Sequence, residues 1–470
     1  MADVPLSAVI LAAGLGTRMR SRRPKVLHRL GGRLMIDLVL AACQDAGLSD
    51  IAVVISPSQE AVAEHLQDRC KVVLQNEPLG TGHAMAQVPA DWLAGGDVLV
   101  LNGDLPLIRS ETIGRLLVDH RKAGLAATLA SVEDPTRRDA RVVRGQDGML
   151  DRIVEFRDAT EDIRALAEIN VGLYCFNGKR LLEALDRLRP DNQAGELYLT
   201  DVFRHLRPVQ VLRIGDRSEA IGVNDRIELA HAERALRQRL LTDLMLLGVT
   251  VVDPATTYVE VGVRVGRDTI LEPFTILRGD TVIGEDCHIG PFTEIRDTTI
   301  GDGVRVEHSW LDGAELAAGS DCGPFAKLRP GTRVAEGVHI GSFAELVRSS
   351  VGRGSRVPHV SYLGDATVGE DVNIGAGTIT ANYDGVGKNP TVIEDGAFVG
   401  VDTMLRAPVR VGRGARTGAG SVVTRDVPPG ATAVGMPARA IRRSQPTSPP
   451  SGPGDRPRAD PGEGEAGGLR

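Results

Sequence analysis

The stretch Ile393-Glu-Asp-Gly-Ala-Phe-Val399-Gly-Val-Asp-Thr-Met-Leu405-Arg-Ala-Pro-Val-Arg-Val411-Gly-Arg-Gly-Ala-Arg-Thr417-Gly-Ala-Gly-Ser-Val-Val423 decides the fold of the C-terminal half. An aliphatic residue returns at every sixth position, with Thr417 taking one turn in the series. Glycine follows several such residues, as in Ile283-Gly284, Ile289-Gly290, Val368-Gly369, Ile374-Gly375 and Val399-Gly400. An ordinary β-rich domain with many glycine turns would not hold this phase over so many steps. A β-solenoid does, because each short strand buries one inward aliphatic residue and small residues turn the corners. Three hexads per turn make a triangular prism.

The insertion Ala381-Asn-Tyr-Asp-Gly-Val-Gly-Lys-Asn-Pro390 breaks the rhythm and is polar and glycine-rich, a loop extruded where binding groups are often carried. Beyond Arg443 the chain turns rich in Pro, Gly and Ser and poor in apolar residues, so residues 444–470 are expected to be a disordered tail without function. On the N-terminal side of the repeats, Leu229, Leu236, Leu240, Leu244 and Leu247 recur at helical spacing and Gly248 can end the helix. This predicts a linker helix over 226–248 and a β-helix over 249–443. Before it, β-branched runs alternate with helical patterns: Ala8-Val-Ile-Leu11, Leu34 to Ala46, Ile51-Ala-Val-Val-Ile55, Asp97-Val-Leu-Val-Leu101. That alternation predicts an α/β domain over 1–225, Rossmann-like, with a doubly wound parallel sheet.

The glycine-rich run Leu11-Ala-Ala-Gly-Leu-Gly-Thr-Arg-Met19 directly follows the first strand, where a sheet delivers backbone amides to a bound anion. It is neither the dinucleotide fingerprint nor the P-loop. Its distinguishing feature is Arg18, joined by Lys25: displacing pyrophosphate builds charge on the leaving phosphates, and two cations can stabilise it. Asp104, in Asn102-Gly103-Asp104, closes a buried strand at the same edge. It suits a magnesium ion, which takes one or two carboxylates and completes its shell with phosphates and water; it equally suits a helix-capping loop Asp. Gln75, with Gly80-Thr81-Gly82-His83, forms a second small-residue turn able to approach a planar base.

Composition narrows the class. With 62 acidic against 55 basic side chains in 470 residues, the net charge is -7, which disfavours nucleic acid as a partner. The opening apolar run Ala8–Ala13 is too short to span a membrane and follows no basic leader, so a cytoplasmic protein is expected. Cys43, Cys70, Cys175, Cys287 and Cys322 are odd in number and never spaced as CxxC, and are expected to be reduced and structural.

The motifs LAAGxGTRM, PKVLH, LGTGHAM, GDxPL, IVEFRDA, Glu168-Ile-Asn-Val-Gly172 and Gly222-Val-Asn224, in this order over residues 6–440, resemble the bifunctional N-acetylglucosamine-1-phosphate uridyltransferase and glucosamine-1-phosphate acetyltransferase family. The resemblance implies acetylation of glucosamine 1-phosphate by acetyl-CoA, then transfer of UMP from UTP to N-acetylglucosamine 1-phosphate with release of pyrophosphate. It implies a left-handed β-helix and a homotrimer. By resemblance, Leu11, Ala12, Ala13 and Gly14 hold the nucleotide, Arg18 and Lys25 its phosphates, and Gln75, Gly80 and Thr81 the uracil. Asp104 and Asn224 would hold Mg2+, and Glu155 and Asn170 the amino sugar. Leu15 stands where the family has Lys, and Ala140 where it has a sugar-contacting Gly.

In the repeats, Pro358-His359-Val-Ser-Tyr362 precedes the Asn382-Tyr383-Asp384 loop. Acetyl transfer to an amine needs a base, and His titrates near neutral pH; a solitary solenoid His can equally be a polar corner residue. The resemblance makes His359 the base, places the sugar phosphate with Arg329, Tyr362, Asn373 and Lys388, and places acetyl-CoA with Ala376, Asn382, Tyr383 and Ala419. Val347 replaces a family lysine, beside Arg348; Val401 replaces a Ser and Met436 an Arg. These departures support a rival, a monofunctional nucleotidyltransferase with a structural, trimerising β-helix. Two further rivals are a metal hydratase using His288, His308, His339 and His359 across trimer faces, and a regulatory protein with a dead transferase fold.

Overall fold

The computed structural model describes residues 5–441, so the expected tail lies outside the described residues. The chain forms two compact units, Met1–Pro330 and Gly331–Arg470.

In the first unit the strands of the main sheet are β1 (Leu6–Leu11), β2 (Ile51–Ile55), β3 (Lys71–Leu74), β4 (Asp97–Asn102), β5 (Ala127–Glu133), β6 (Arg141–Arg144), β7 (Leu150–Val154), β8 (Glu168–Asn177) and β9 (Val209–Arg213). They form one sheet in the order β9-β5-β8-β4-β1-β2-β3, with the β6–β7 hairpin pairing onto β8. Along β1 successive side chains point to opposite faces: Ala8, Ile10 and Ala12 join one core, Val9, Leu11 and Ala13 the other. The first core is completed by α1 (Met35–Asp45) and α3 (Ser110–Lys122), the second by α2 (Thr81–Ala86), Phe176 and Phe203. Burial on both faces is what a near-continuous apolar strand requires. The expected all-parallel sheet needs one correction: β8 runs antiparallel to both β4 and β5. Its buried run Leu173–Phe176 is apolar in either direction, so strand polarity leaves no mark on the periodicity.

Helix α4 (Arg226–Leu246) starts at Asp225, whose carboxylate accepts from the amides of Ile227 and Glu228 at 2.8 and 2.9 Å. It buries Ala232, Leu236, Leu241 and Leu244, with Leu236 and Ala232 packed against Leu30, Met35 and Leu107. Of the expected stripe, Leu247 is 69% exposed, because it caps the helix before Gly248 turns left-handed at φ 95°. Arg239 ties the helix down by donating to the Leu107 carbonyl at 2.9 Å and to Ser218 Oγ at 3.0 Å.

The remaining coils of this unit consist of strands two to four residues long, each paired parallel with the next coil, as in Ile270 with His288 and Val282 with Thr299. Leu271, Ile289, Val306 and Cys322 fill one side of the prism and Leu277, Ile295, Leu311 and Leu328 another. At one corner Phe274, Phe292, His308 and Phe325 take left-handed conformations and their rings meet in turn, with centroids 4.7, 5.6 and 5.5 Å apart, the first two pairs stacked and the last tilted.

The second unit repeats the scheme. Ile393, Val399, Leu405, Val411, Thr417 and Val423, the residues of the six-residue period, are all between 0% and 4% exposed. Thr417 fits inside because its hydroxyl meets Thr403 Oγ1 at 2.9 Å and accepts from the Gly400 amide at 2.8 Å. The insertion leaves the prism between Ile379–Ala381 and Thr391–Ile393 and is closed by a bridge between Tyr383 and Lys388. An antiparallel pair, Thr432–Val434 with Arg439–Ile441, ends the described coils. Among the described residues no helix is long and apolar enough to cross a membrane, and all five cysteines are free.

Candidate functional site

The parallel register brings Leu11 level with both Asn102 and Val54, so the loops after β1 and β4 leave the sheet at one edge. A cavity of about 470 Å³ opens there, lined by Leu11, Ala12, Ala13, Gly14, Arg18, Lys25, Gln75, Gly80, Thr81, Asp104 and Asn224, together with Leu15. The structure thus gathers every residue expected to hold nucleotide or metal. Two glycines shape it differently. Gly14 has nothing within 4 Å of where a Cβ would stand, whereas Gly16 sits at φ 60° and its Cβ would come within 2.8 Å of Lys25 Cβ. Gly16, not singled out from the sequence, lets the loop close onto the lysine. Gln59 was missed as well: buried, it donates to the Ala12 carbonyl at 3.1 Å and accepts from the Ser56 amide at 2.8 Å, pinning the loop from behind. On the opposite wall Gln75 Nε2 donates to the Gly80 carbonyl at 3.0 Å.

A second chamber of about 240 Å³ is lined by Glu155, Asn170 and Ala140, and by Arg137, Asp139, Gly172 and Tyr174, which sequence reasoning did not find. Asn170 lies at a β-bulge, donates to Tyr174 Oη at 2.7 Å, and its amide bonds the Ala140 carbonyl at 2.8 Å. Gly172, at φ 85°, allows Asn102 Nδ2 to approach within 2.4 Å of where a Cβ would be. Glu155 accepts from Thr200 Oγ1 at 3.0 Å. Burial pushes its carboxyl above the usual range, and does the same to Asp139.

The two chambers share Leu11, Thr81, Asn102, Asp104 and Asn224. At this common wall the Lys25 ammonium donates to Asp104 Oδ2 at 2.5 Å and to Asn224 Oδ1 at 3.1 Å. Both acceptors are fixed by backbone: Val223 N donates to the Asp104 carbonyl at 2.9 Å, and Asn224 N to Glu228 Oε2 at 2.6 Å. Asp225 and Glu228 thus cap α4 and hold Asn224, a variant of the capping box that the spacing Asp225-x-x-Glu228 signals in the sequence.

In the second unit, strand Arg356–His359 carries His359 to an exposed corner. From it a column of corner residues runs from coil to coil, tied by bonds from Gly377 N to the Val360 carbonyl, Asp402 N to Ala376 and Gly420 N to Val401, at 2.9, 2.7 and 2.8 Å. Ala376, Val401 and the exposed Ala419 therefore follow His359 along one corner. On the next face Tyr362 and Asn382 converge on Gly364, whose Cβ would fall 2.7 Å from Tyr362 Oη and 2.5 Å from Asn382 Nδ2. Val347, 3% exposed, is in register with Gly364. Arg348 forms a bidentate pair with Asp365, at 2.6 and 3.0 Å, and Asp365 also accepts from Asn382 Nδ2 at 2.5 Å. Arg348 thus serves Asn382 through Asp365. Within the loop Lys388 lies over the Tyr383 ring at 4.6 Å. Asp384, held down to about 2 by the Gly387 and Val386 amides, ties the tip. Asn373 starts the strand Asn373–Ile374, and Arg329 belongs to the first unit, after Lys327–Leu328.

For the hydratase rival, His288 pairs with Glu272 at 3.0 Å and His308 belongs to the aromatic stack. Within one chain, no group of three or more His, Cys, Asp or Glu among the described residues is placed to hold a metal, so a hydratase site would have to be assembled across trimer faces.

Comparison with known proteins adds sequence evidence. The MobA-like NTP transferase domain matches residues 8–209, the bacterial transferase hexapeptide (six repeats) matches 262–297, and the hexapeptide repeat of succinyl-transferase matches 390–425. The chain is 46% identical over 436 residues to the bifunctional protein GlmU of Syntrophomonas wolfei, covering 91% of this chain and 97% of that one. With the bifunctional protein GlmU of Heliobacterium modesticaldum it shares 48% identity over 439 residues, 91% and 95% of the two chains. For that of Thermotoga maritima the figures are 43% over 438 residues, 93% and 98%.

Proposed function

The chain belongs to the family of bifunctional GlmU proteins, and from that premise we propose how its two sites divide the work. It is a uridyltransferase and acetyltransferase: it acetylates glucosamine 1-phosphate from acetyl-CoA and joins UMP from UTP to N-acetylglucosamine 1-phosphate, releasing pyrophosphate. On this reading the nucleotidyltransferase takes up 1–225, the linker helix is Arg226–Leu246, two residues shorter than the expected 226–248, and the acetyltransferase is the β-helix that follows, which the family resemblance makes left-handed. One observation carries the uridyltransferase reading: two chambers meeting at a wall made by Asp104, Asn224, Asn102, Thr81 and Leu11. UTP fits the larger chamber, with uracil on Gln75, Gly80 and Thr81 and phosphates on Arg18 and Lys25. The sugar phosphate fits the smaller, on Glu155 and Asn170, and its phosphate oxygen meets the α-phosphorus at the common wall.

Magnesium suits that wall, since Asp104 Oδ2 and Asn224 Oδ1 already converge on a single cation, the Lys25 ammonium. Asp104 and Asn224 would hold it, and it supplies neutralisation of the triphosphate when bound. Arg18 and Lys25 then take the charge that grows on departing pyrophosphate. In acetyl transfer the glucosamine nitrogen attacks the thioester carbonyl, His359 accepts the proton the nitrogen loses, and as the C–S bond breaks that proton passes to the departing sulfur, so coenzyme A leaves as its thiol. Tyr362, Asn373, Lys388 and Arg329 orient the sugar phosphate, while Ala376, Asn382, Tyr383 and Ala419 meet acetyl-CoA.

We place the protein in the cytoplasm as a homotrimer, feeding UDP-N-acetylglucosamine to peptidoglycan and lipopolysaccharide synthesis. Supporting assembly are the hexapeptide repeats and the exposed ring corner, where Phe274, Phe292 and Phe325 are about half exposed. The test is one incubation of purified protein with glucosamine 1-phosphate, acetyl-CoA, UTP and Mg2+, following free thiol and pyrophosphate separately. Both should appear, thiol first. Pyrophosphate from pre-acetylated sugar phosphate with thiol at background would leave only the monofunctional reading.

A further inference from the structure

The Lys25 ammonium stands between the two groups that the preceding reading assigns to a divalent cation, 2.5 Å from Asp104 Oδ2 and 3.1 Å from Asn224 Oδ1. Its side chain is only 13% exposed, and its stem packs against Gly16 of the phosphate loop. Its two acceptors are anchored, Asp104 through its carbonyl to Val223 N and Asn224 through its amide to Glu228. The lysine is the movable partner, because a four-carbon stem reorients while backbone-tied ligands stay in place. A divalent ion arriving alone meets a site already neutralised by a monovalent cation, and must either share one carboxylate with it or displace it from its only carboxylate partner among the described residues. An arriving triphosphate changes the balance, since it offers the ammonium several anionic oxygens on the same cavity wall.

We propose that Lys25 is a resident counter-ion that keeps the Asp104–Asn224 pair closed to divalent cations until nucleotide binds. Nucleotide draws the ammonium onto its phosphates and vacates the pair, so cation and nucleotide bind with strong positive coupling. Because one free energy links the two ligands, each tightens the other by the same factor. The lysine thereby holds two successive positions, and the site assembles only when the nucleotide is present.

The inference rests on Asp104 and Asn224 being the cation ligands, and the experiment separates the two ideas. Mn2+ serves as the probe, its free concentration read by electron paramagnetic resonance in full-length protein, without turnover. In wild type without nucleotide, Mn2+ should bind weakly at this site, and a non-hydrolysable UTP analogue should tighten it. Lys25→Met, nearly the same in length and uncharged, should tighten nucleotide-free binding by roughly tenfold or more and shrink the enhancement by the analogue. Lys25→Gln should behave alike, guarding against a packing defect in one variant. Asp104→Asn added to either should abolish the gained site. Equal nucleotide-free Mn2+ affinity in wild type and both Lys25 variants would overturn the counter-ion role. If Asp104→Asn retains Mn2+ in the nucleotide complex, the ligand assignment itself is wrong, and the proposal falls with it.

Discussion

Gly80 sits at φ 106° and ψ 175°, a region that essentially only glycine enters. A Cβ added there would lie 2.5 Å from the Leu197 carbonyl oxygen, 2.9 Å from Leu197 N and 3.0 Å from Glu196 Cβ. None of the first two contacts can yield by a rotamer change, because both atoms belong to the backbone. Gly80→Ala therefore carries a conformational cost of about 1–3 kcal/mol. It also strains two bonds that hold the turn, Gly82 N to the Leu197 carbonyl at 2.7 Å and Leu197 N to the Leu79 carbonyl at 2.8 Å. Losing one adds about 1 kcal/mol. The displaced turn carries the Gln75–Gly80 contact with it, so about 1.4 to 3 kcal/mol of this reaches nucleotide binding, raising KM for UTP about 10- to 100-fold. The assay is initial-rate pyrophosphate release with UTP varied, with thiol release from the same preparation as the folding control. Thiol release should be unchanged, since the acetyl-transfer residues other than Arg329 belong to the second unit. A KM for UTP within twofold of wild type in a folded Gly80→Ala protein would refute the assignment of this turn to the uracil wall.

Three further outcomes follow from the geometry. His359→Ala should lower acetyl-transfer turnover ~100- to 10,000-fold with a much smaller change in KM for glucosamine 1-phosphate and no effect on uridyl transfer; turnover within a few-fold of wild type would make His359 a corner residue. Arg348→Ala frees Asp365 and with it Asn382, so KM for acetyl-CoA should rise roughly three- to tenfold with turnover less affected, and Arg348→Lys should restore only part, lacking the bidentate fork; an unchanged KM counts against this relay. Burial holds the Glu155 carboxyl above its ordinary range, so between the ordinary carboxylate range and the raised native value the folded state keeps a proton that the unfolded state has lost. Its contribution to stability is therefore lost as pH rises through that window. Glu155→Gln should unfold at higher urea concentration than wild type at neutral pH, the gap closing as pH falls to the ordinary carboxylate range, while KM for the amino sugar rises.

The six-residue period from Ile393 to Val423 could be read without a structure because inward burial recurs at one fixed spacing, and Thr417 keeps phase despite its hydroxyl. That the loop after β1 would line a cavity was legible for a similar reason: its glycines and cations follow β1 in one continuous segment. What escaped was contributed by distant chain. Gln59 and Arg137 look like ordinary surface residues until folding places them, and the direction of β8 is invisible in an apolar run. Gly16 outranks Gly14 as a backbone constraint only through its approach to Lys25, nine residues on. Leu247 satisfied the helical spacing but fell one residue past the last helical turn. The cap Asp225-x-x-Glu228 is the exception, a local pattern that was present and went unread.

The wall shared by the two chambers also bears on how this enzyme can be blocked. A compound confined to one chamber competes with one substrate and can be displaced by raising that substrate alone. On the proposed assignment the nucleotide-sugar product would reach across the wall and touch both, so its two ends would act as tethered ligands, each raising the local concentration of the other. Inhibition by product should accordingly be competitive toward UTP and toward N-acetylglucosamine 1-phosphate alike, and an inhibitor built to bridge Gln75 and Glu155 inherits that double lock.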